Sequence, residues 1–207
     1  MVARILALGL LVLALPLLAL LGGLVWLSLG SPVLFRQVRS GRGGAGFTLV
    51  KFRSMKDLRD GTGALLPDPV RTTRLGNFLR RSRLDELPGL VNVVTGDLAF
   101  IGPRPLLPKT LAAMGEQGRR RGAVRPGLTG LSQVSGNTLL TLDEKVALDL
   151  WYIDHRSPWL DGQIILRTVL VMVGGNAALL PRPGSAGARR RRGWVSGELF
   201  RRGRRAT

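Results

Sequence analysis

The start of the chain most constrains what it can fold into. From Ile5 to Leu29 no residue is charged, and Leu, Ala, Val and Gly make up most of the segment. As helix it would be roughly 37 Å long, enough to cross the hydrocarbon of a bilayer. A secretory signal would have a shorter apolar region and a small-residue cleavage site, and no convincing site is present. The segment therefore reads as a membrane anchor. Pro16, near its middle, removes a backbone hydrogen bond and predicts a kink. Arg4 precedes the segment, and Arg36, Arg39 and Arg42 follow it. Basic flanks prefer the cytoplasmic side. A helix broken at Pro16 that enters and leaves on one face suits these charges better than a straight span, although the sequence permits both.

Charge narrows the partners. The net charge is +18, and arginine outnumbers lysine. Such a surface seeks phosphate, whether in nucleic acid, anionic lipid or a phosphorylated substrate. About half of the excess lies after Pro181, where nine arginines face one glutamate. That Arg-, Gly- and Ser-rich tail reads as disordered and suited to anionic headgroups. The other half belongs to the middle of the chain. There are no cysteines, which excludes disulfides, thiolate metal sites and Cys nucleophiles. A single histidine, His155, excludes a His-rich metal site and reads as a helix-end or surface residue. A bound metal would take oxygen ligands, which points to Mg²⁺ or Mn²⁺.

Between anchor and tail the pattern alternates short strands, turns and helices. Val33 to Arg39 and Phe47 to Met55 read as a hairpin around the Gly-rich turn Ser40 to Gly46. Lys51 and Arg53, two apart on the second strand, would project from one face and could grip a phosphate. Asp57 to Asp68 reads as a loop, and Thr73 to Arg81 as a helix ending in a basic run. Ser82 followed by Asp85 suggests a capping box for a helix from Leu84 to Val94, closed by Thr95 and Gly96. Leu111 to Arg121 reads as a helix and Leu131 to Val134 as a short strand. Leu142 to Ile153 and Leu160 to Gly174 read as amphipathic helices, the second with Arg167 able to snorkel at an interface.

The chemistry concentrates at Asp85 and Glu86. Taken by themselves they are acids in a first helical turn, where they complement the dipole. The same position attracts phosphate. Arg80, Arg81 and Arg83 stand just before them. A carboxylate kept ionised beside bound phosphate suits a nucleophile or a Mg²⁺ ligand. Arg104, between Pro103 and Pro105, has its backbone fixed and reads as a placed anion ligand. Arg125, before Pro126-Gly127, is presented by a similar turn.

These stretches together carry a resemblance. They are S-P-V-L-F-R-Q-V-R-S-G, K-F-R-S-M, R-L-D-E-L-P-G-L-V-N-V-V-T-G-D-L, I-G-P-R-P-L-L-P, V-R-P-G-L-T-G-L-S-Q-V-S-G-N and D-E-K-V-A-L-D-L-W-Y. In this order they resemble the bacterial sugar transferases, the small monotopic polyprenyl-phosphate phosphoglycosyl transferases, over roughly Ala3 to Gly175. The resemblance implies a nucleotide-diphosphate sugar donor, usually a UDP-sugar, bound with Mg²⁺. It implies that Asp85 attacks the phosphate nearest the sugar and releases UMP. The phosphosugar then passes to a polyprenyl phosphate, usually undecaprenyl phosphate, in the first membrane step of a surface glycan. Glu86 would hold Mg²⁺, together with Asp85, or accept a proton. Lys51, Arg80, Arg104 and Arg125 fall on basic positions of the family's site, and Asp149 on a supporting acid. The family's first helix enters and leaves on the cytoplasmic face with its break at a proline, here Pro16. Ala45, Leu131 and Asn137 depart from residues usual in the family and bear on sugar and nucleotide choice.

The expected architecture is α+β and mainly helical. It comprises an N-terminal re-entrant helix hairpin (residues 1–30), then a compact cytoplasmic domain (residues 31–180) with a short β-hairpin and amphipathic interfacial helices. The Arg-rich tail (residues 181–207) follows. The expected location is the cytoplasmic face of the bacterial inner membrane, with membrane lipid as a partner, room for a homodimer and no nucleic acid. The alternative from charge alone is a membrane-anchored basic protein that binds nucleic acid or anionic lipid without catalysis. It lacks an aromatic platform, and its arginines fall at Pro-Gly turns rather than on one basic helix.

Overall fold

A computed structural model describes residues 1–174, so the expected disordered tail and the domain end at residue 180 lie outside the described residues. The apolar segment forms one helix, α1 (Val2–Leu29), with Pro16 inside it. It is the one helix among the described residues long and apolar enough to cross a membrane. Most of its large side chains are exposed, Leu13 and Leu27 at three-quarters or more. Both of its ends nevertheless pack on the rest of the chain. Near the start, Ala7 is buried with Phe47, Val93 and Leu98. Near the end, Leu21 and Val25 are buried with Phe52 and Leu79.

The hairpin is as expected: β1 (Leu34–Ser40) pairs antiparallel with β2 (Gly46–Phe52), with Phe35 opposite Lys51. Arg53 departs from its expected role. Its guanidinium donates to the carbonyls of Leu29, Gly30 and Ser31, at 2.8 Å and 3.1 Å for the latter two. It closes the end of α1, where helix carbonyls lack partners, and does not face the site with Lys51.

After α2 (Asp68–Arg71), α3 (Arg74–Arg81) is capped by Thr73, whose hydroxyl accepts from Gly76 N. Ser82 does not open the next helix. It ends α3, its hydroxyl donating to the Phe78 carbonyl at 2.8 Å. Arg83 then adopts a left-handed conformation, φ 59° and ψ 13°. The expected helix from Leu84 to Val94 is a 3₁₀ turn, Leu84–Gly89, followed by α4 (Leu90–Thr95). Pro88 explains the division, because it lacks the N–H an α-helix would use there. Gly96 closes α4 at φ 90°, as expected, and a side chain there would meet the Arg4 guanidinium of α1.

A second small sheet was not foreseen. β3 (Ala99–Ile101) pairs parallel with β4 (Gly127–Thr129). Gly102 and Gly127 let the two backbones touch, and the Gly127 N–H donates to the Pro103 carbonyl at 3.0 Å. Three-residue strands carry too little alternation to be recognised. The expected helix Leu111–Arg121 is two, α5 (Pro108–Ala113) and α6 (Gly115–Gly122), parted at Gly115 with φ 55°. Leu131–Val134 is not a strand but a turn of helix, α7, with all four residues buried. It leads to α8 (Leu142–His155), which has a true capping box between Thr141 and Glu144, and to α9 (Pro158–Gly174). Tyr152, Leu160 and Ile164 from these helices bury Ile101, Leu131 and Val134. His155 ends α8 and stacks on Trp151.

Candidate active site

Four segments converge: β2, the 3₁₀ turn after α3, the Pro103–Arg104–Pro105 loop, and α6. The buried Asn92 of α4 ties two of them. Its Oδ1 accepts from Val50 N at 3.1 Å and its Nδ2 donates to the Thr48 carbonyl at 2.8 Å. The 3₁₀ turn is thereby pressed against β2, which brings Lys51 beside the acids.

Asp85 is 5% exposed. Burial pushes its carboxyl up to about 6 and the neighbouring Glu86 charge adds to the rise, while Lys51, Arg104 and Arg80 oppose it. Glu86 goes the other way. Burial alone would raise it, but the charge and hydrogen bond of Arg104, then Arg83 and Lys51, hold it below the usual range. Adjacent carboxyls whose environments drive them apart are suited to different tasks. Glu86 Oε1 accepts from Arg104 at 2.7 Å, and its Oε2 lies 4.0 Å from Arg83. Burial lowers the Lys51 ammonium, with Asp85 and Glu86 resisting, and its Nζ lies 5.2 Å from the Phe35 ring centre. Arg80 is exposed on the last turn of α3, its charge reaching Asp85.

Lys51, Arg80, Asp85, Glu86 and Arg104 are thus brought together. Arg125 is not: it is exposed, and no described contact joins it to the acids. Asp149 is 1% exposed and lies one layer back, paired with Arg121. Pro16 lies within α1 and away from these groups in sequence.

Two further cations join the cluster that the sequence named only as part of a basic run (Arg83) and as a flank of the apolar segment (Arg39), without a place in the site. Arg83 donates to the Gln133 carbonyl at 2.9 Å while facing Glu86. Arg39, whose charge interacts with Arg104 and Glu86, donates to the Pro105 carbonyl at 3.3 Å. The strand period could have found Arg39, since it shares alternation with Phe35 and Gln37. The left-handed turn at Arg83 has no such signal.

Among the described residues no three Asp, Glu, His or Cys side chains cluster around one point. Asp85 and Glu86 supply two carboxylates, and Arg104 already occupies Glu86 Oε1. Mg²⁺ is held through one or two carboxylates completed by substrate phosphates. The pair fits that mode and not an all-protein cage.

A buried carboxyl with a raised pKa, ringed by Arg and Lys, is an arrangement that enzymes handling anionic groups use. The chain belongs to the bacterial sugar transferase family, whose model matches residues 1–175. It is 49% identical to the sugar transferase EpsL of Bacillus subtilis, over 70% of this chain and 72% of that one. It is 41% identical to the UDP-glucose:undecaprenyl-phosphate glucose-1-phosphate transferase of Escherichia coli, over 80% of this chain and 38% of that one. It is 40% identical to the galactosyl transferase CpsE of Streptococcus agalactiae, over 72% of this chain and 36% of that one. The chain therefore spans well under half the length of the latter two.

Proposed function

We propose that this chain transfers a sugar 1-phosphate from a nucleotide-diphosphate sugar, a UDP-sugar foremost, to a polyprenyl phosphate, undecaprenyl phosphate foremost. A carboxylate oxygen of Asp85 attacks the phosphorus next to the sugar. The bond from that phosphorus to the bridging oxygen breaks, and UMP leaves with that oxygen. An oxygen of the polyprenyl phosphate then attacks the same phosphorus. The bond to Asp85 breaks, the carboxylate is regenerated, and a polyprenyl-diphosphate sugar departs. The observation that carries this reading is Asp85 itself. It is buried, ionised above about pH 6, and ringed by Lys51, Arg80 and Arg104. Those cations offset the repulsion between a carboxylate and two anionic substrates. The names of the relatives in Escherichia coli and Caulobacter vibrioides, both UDP-glucose:undecaprenyl-phosphate transferases, agree with the substrate pair.

Glu86, kept ionised by Arg104, would help hold Mg²⁺ or accept the proton of the incoming phosphate. Asp85 and Glu86 would hold Mg²⁺, with Mn²⁺ as the alternative, and the ion when bound supplies charge neutralisation at the diphosphate. Arg125, exposed on its turn, is available to the nucleotide side of the donor.

The proposed location is the cytoplasmic face of the inner membrane, with α1 entering and leaving on that face around Pro16. The support is that Ala7 and Val25, near opposite ends of α1, are both fully buried against the same domain. A span that carried one end across the bilayer would separate them.

The test is to incubate the protein with UDP-sugars and Mg²⁺ without acceptor and to weigh it intact. A mass gain of one phosphosugar, with UMP released in equal amount, is expected for the native chain and not for Asp85→Asn. UMP release at the native rate by Asp85→Asn would overturn the assignment.

A further inference from the structure

Behind the acids lies a buried ion pair to which the transfer steps assign no part. Arg121 of α6 and Asp149 of α8 have side chains 4% and 1% exposed. Arg121 Nε and Nη2 both donate to Asp149 Oδ2, at 2.9 Å and 2.6 Å. The other carboxylate oxygen, Oδ1, accepts from the Ser132 hydroxyl of α7 at 2.8 Å. Arg121 Nη2 also donates to the main-chain carbonyl of Arg104.

A buried pair of this kind is a poor investment for stability alone, since apolar side chains of similar volume often serve as well. Its geometry suits another task. Asp149 has both oxygens filled, so it offers nothing to a substrate. Its effect is to orient one guanidinium, and that guanidinium ends on the peptide that carries Arg104. We infer that Arg121 is a positioning residue: held by Asp149 and Ser132, it fixes the Arg104 main chain so that the Arg104 guanidinium meets Glu86.

The neighbouring contacts agree. Pro103 is tied through its carbonyl to Gly127 N, and Pro105 through its carbonyl to Arg39. Arg121 holds the residue between them. Arg104 reaches Glu86 at the end of a long side chain, so a small shift of its peptide displaces the charged head where catalysis tolerates little. The chain of contact runs Ser132, Asp149, Arg121, Arg104, Glu86, and draws α6, α7 and α8 onto the acids.

This inference rests on the proposed reaction, so its test carries a readout that does not. Arg121→Lys keeps the charge beside Asp149 but loses the fork that serves two acceptors at once. The double variant Arg121→Met, Asp149→Leu removes the pair without leaving a lone buried charge. Melting temperature, kcat and KM for UMP release, and the carboxyl titration of Asp85 followed by carbon-13 NMR are measured for each. We expect Arg121→Lys to melt near the native temperature, to lose about 10-fold or more in kcat with donor KM little changed, and to titrate Asp85 at higher pH. The upward shift follows because the Arg104 charge, which lowers Asp85, would be less well placed. A folded Arg121→Lys with native kcat and native Asp85 titration overturns the inference. If the double variant folds, the same pair of results there overturns it too; if it does not fold, Arg121→Lys alone decides. If the native chain releases no UMP from any UDP-sugar, the proposed reaction fails, and the Asp85 titration of Arg121→Lys still decides the positioning.

Discussion

Asn92 acts toward Val50 as a neighbouring strand would, its carboxamide oxygen accepting the Val50 N–H at 3.1 Å while its nitrogen donates to Thr48 at 2.8 Å. One buried side chain thereby satisfies two main-chain groups of β2 and sets Lys51 in place. Asn92→Leu would leave both without that partner at a part-buried seam. Each orphaned group costs about 1–3 kcal/mol. The variant should melt well below the native protein in the same detergent, and a melting curve checks this.

Asp85 trades stability for reactivity. Its carboxyl titrates at about 6 when folded and near the ordinary aspartate value of 3.8 when unfolded. Between those values the folded state binds the extra proton, so stability falls as pH rises toward 6 and then levels. Two units correspond to about 3 kcal/mol at most. Asp85→Asn should therefore be inactive yet melt higher than the native protein at pH 7.5, with the difference vanishing near pH 4. Melting curves at the two pH values settle this.

The same titration shapes the rate. The attacking form of Asp85 is ionised, so kcat/KM should rise with pH to a plateau above about 6. Glu86 charge raises the Asp85 carboxyl, so Glu86→Gln should move this acid limb downward while lowering the plateau by 10²-fold or more, the order of a lost acid–base group. A pH–rate profile of both proteins reads both effects.

Arg53 joins the end of α1 to β2, two residues beyond Lys51. Arg53→Met would free three carbonyls at the membrane junction. The expected result is a KM for the lipid acceptor raised several-fold, on the order of 1 kcal/mol, with donor KM nearly native. Initial rates at varied acceptor and varied donor separate the two.

The native chain has no cysteine, so single cysteines report topology cleanly. In whole cells, V2C and R42C should both resist an impermeant thiol reagent added outside and react once the inner face is opened. Labelling of V2C from outside would refute the re-entrant reading.

The extent to which the sequence disclosed this arrangement varied with how local the controlling forces are. The apolar helix α1, the hairpin, α8 and α9 were legible because each repeats its pattern over several turns or pleats. Thr95-Gly96 was legible because a left-handed residue ends α4 there. Ser82 misled because it matches a capping pattern, while the chain uses it to end α3 and turns at Arg83 instead. Leu131–Val134 misled because a short apolar run is silent on helix or strand, and burial from all sides removes any period. At the site, Asp85, Glu86, Lys51 and Arg104 were legible from motif, and the structure gathers them. Arg121 was not, because α6 holds three consecutive arginines and only the packing of α8 selects the one that is buried.

The burial of Ala7 against Leu98 also sets an order for biogenesis. The α1 helix precedes its seat in the chain, and that seat is complete only once synthesis has passed Leu98. At about 5–20 residues per second the wait is roughly 5–20 s. On the proposed membrane placement the bilayer would shelter α1 alone through that interval, and only afterwards would the domain close on both of its ends. Trimming the anchor to obtain a soluble fragment would then remove part of the core, baring Phe47, Phe52, Leu79 and Val93 to water.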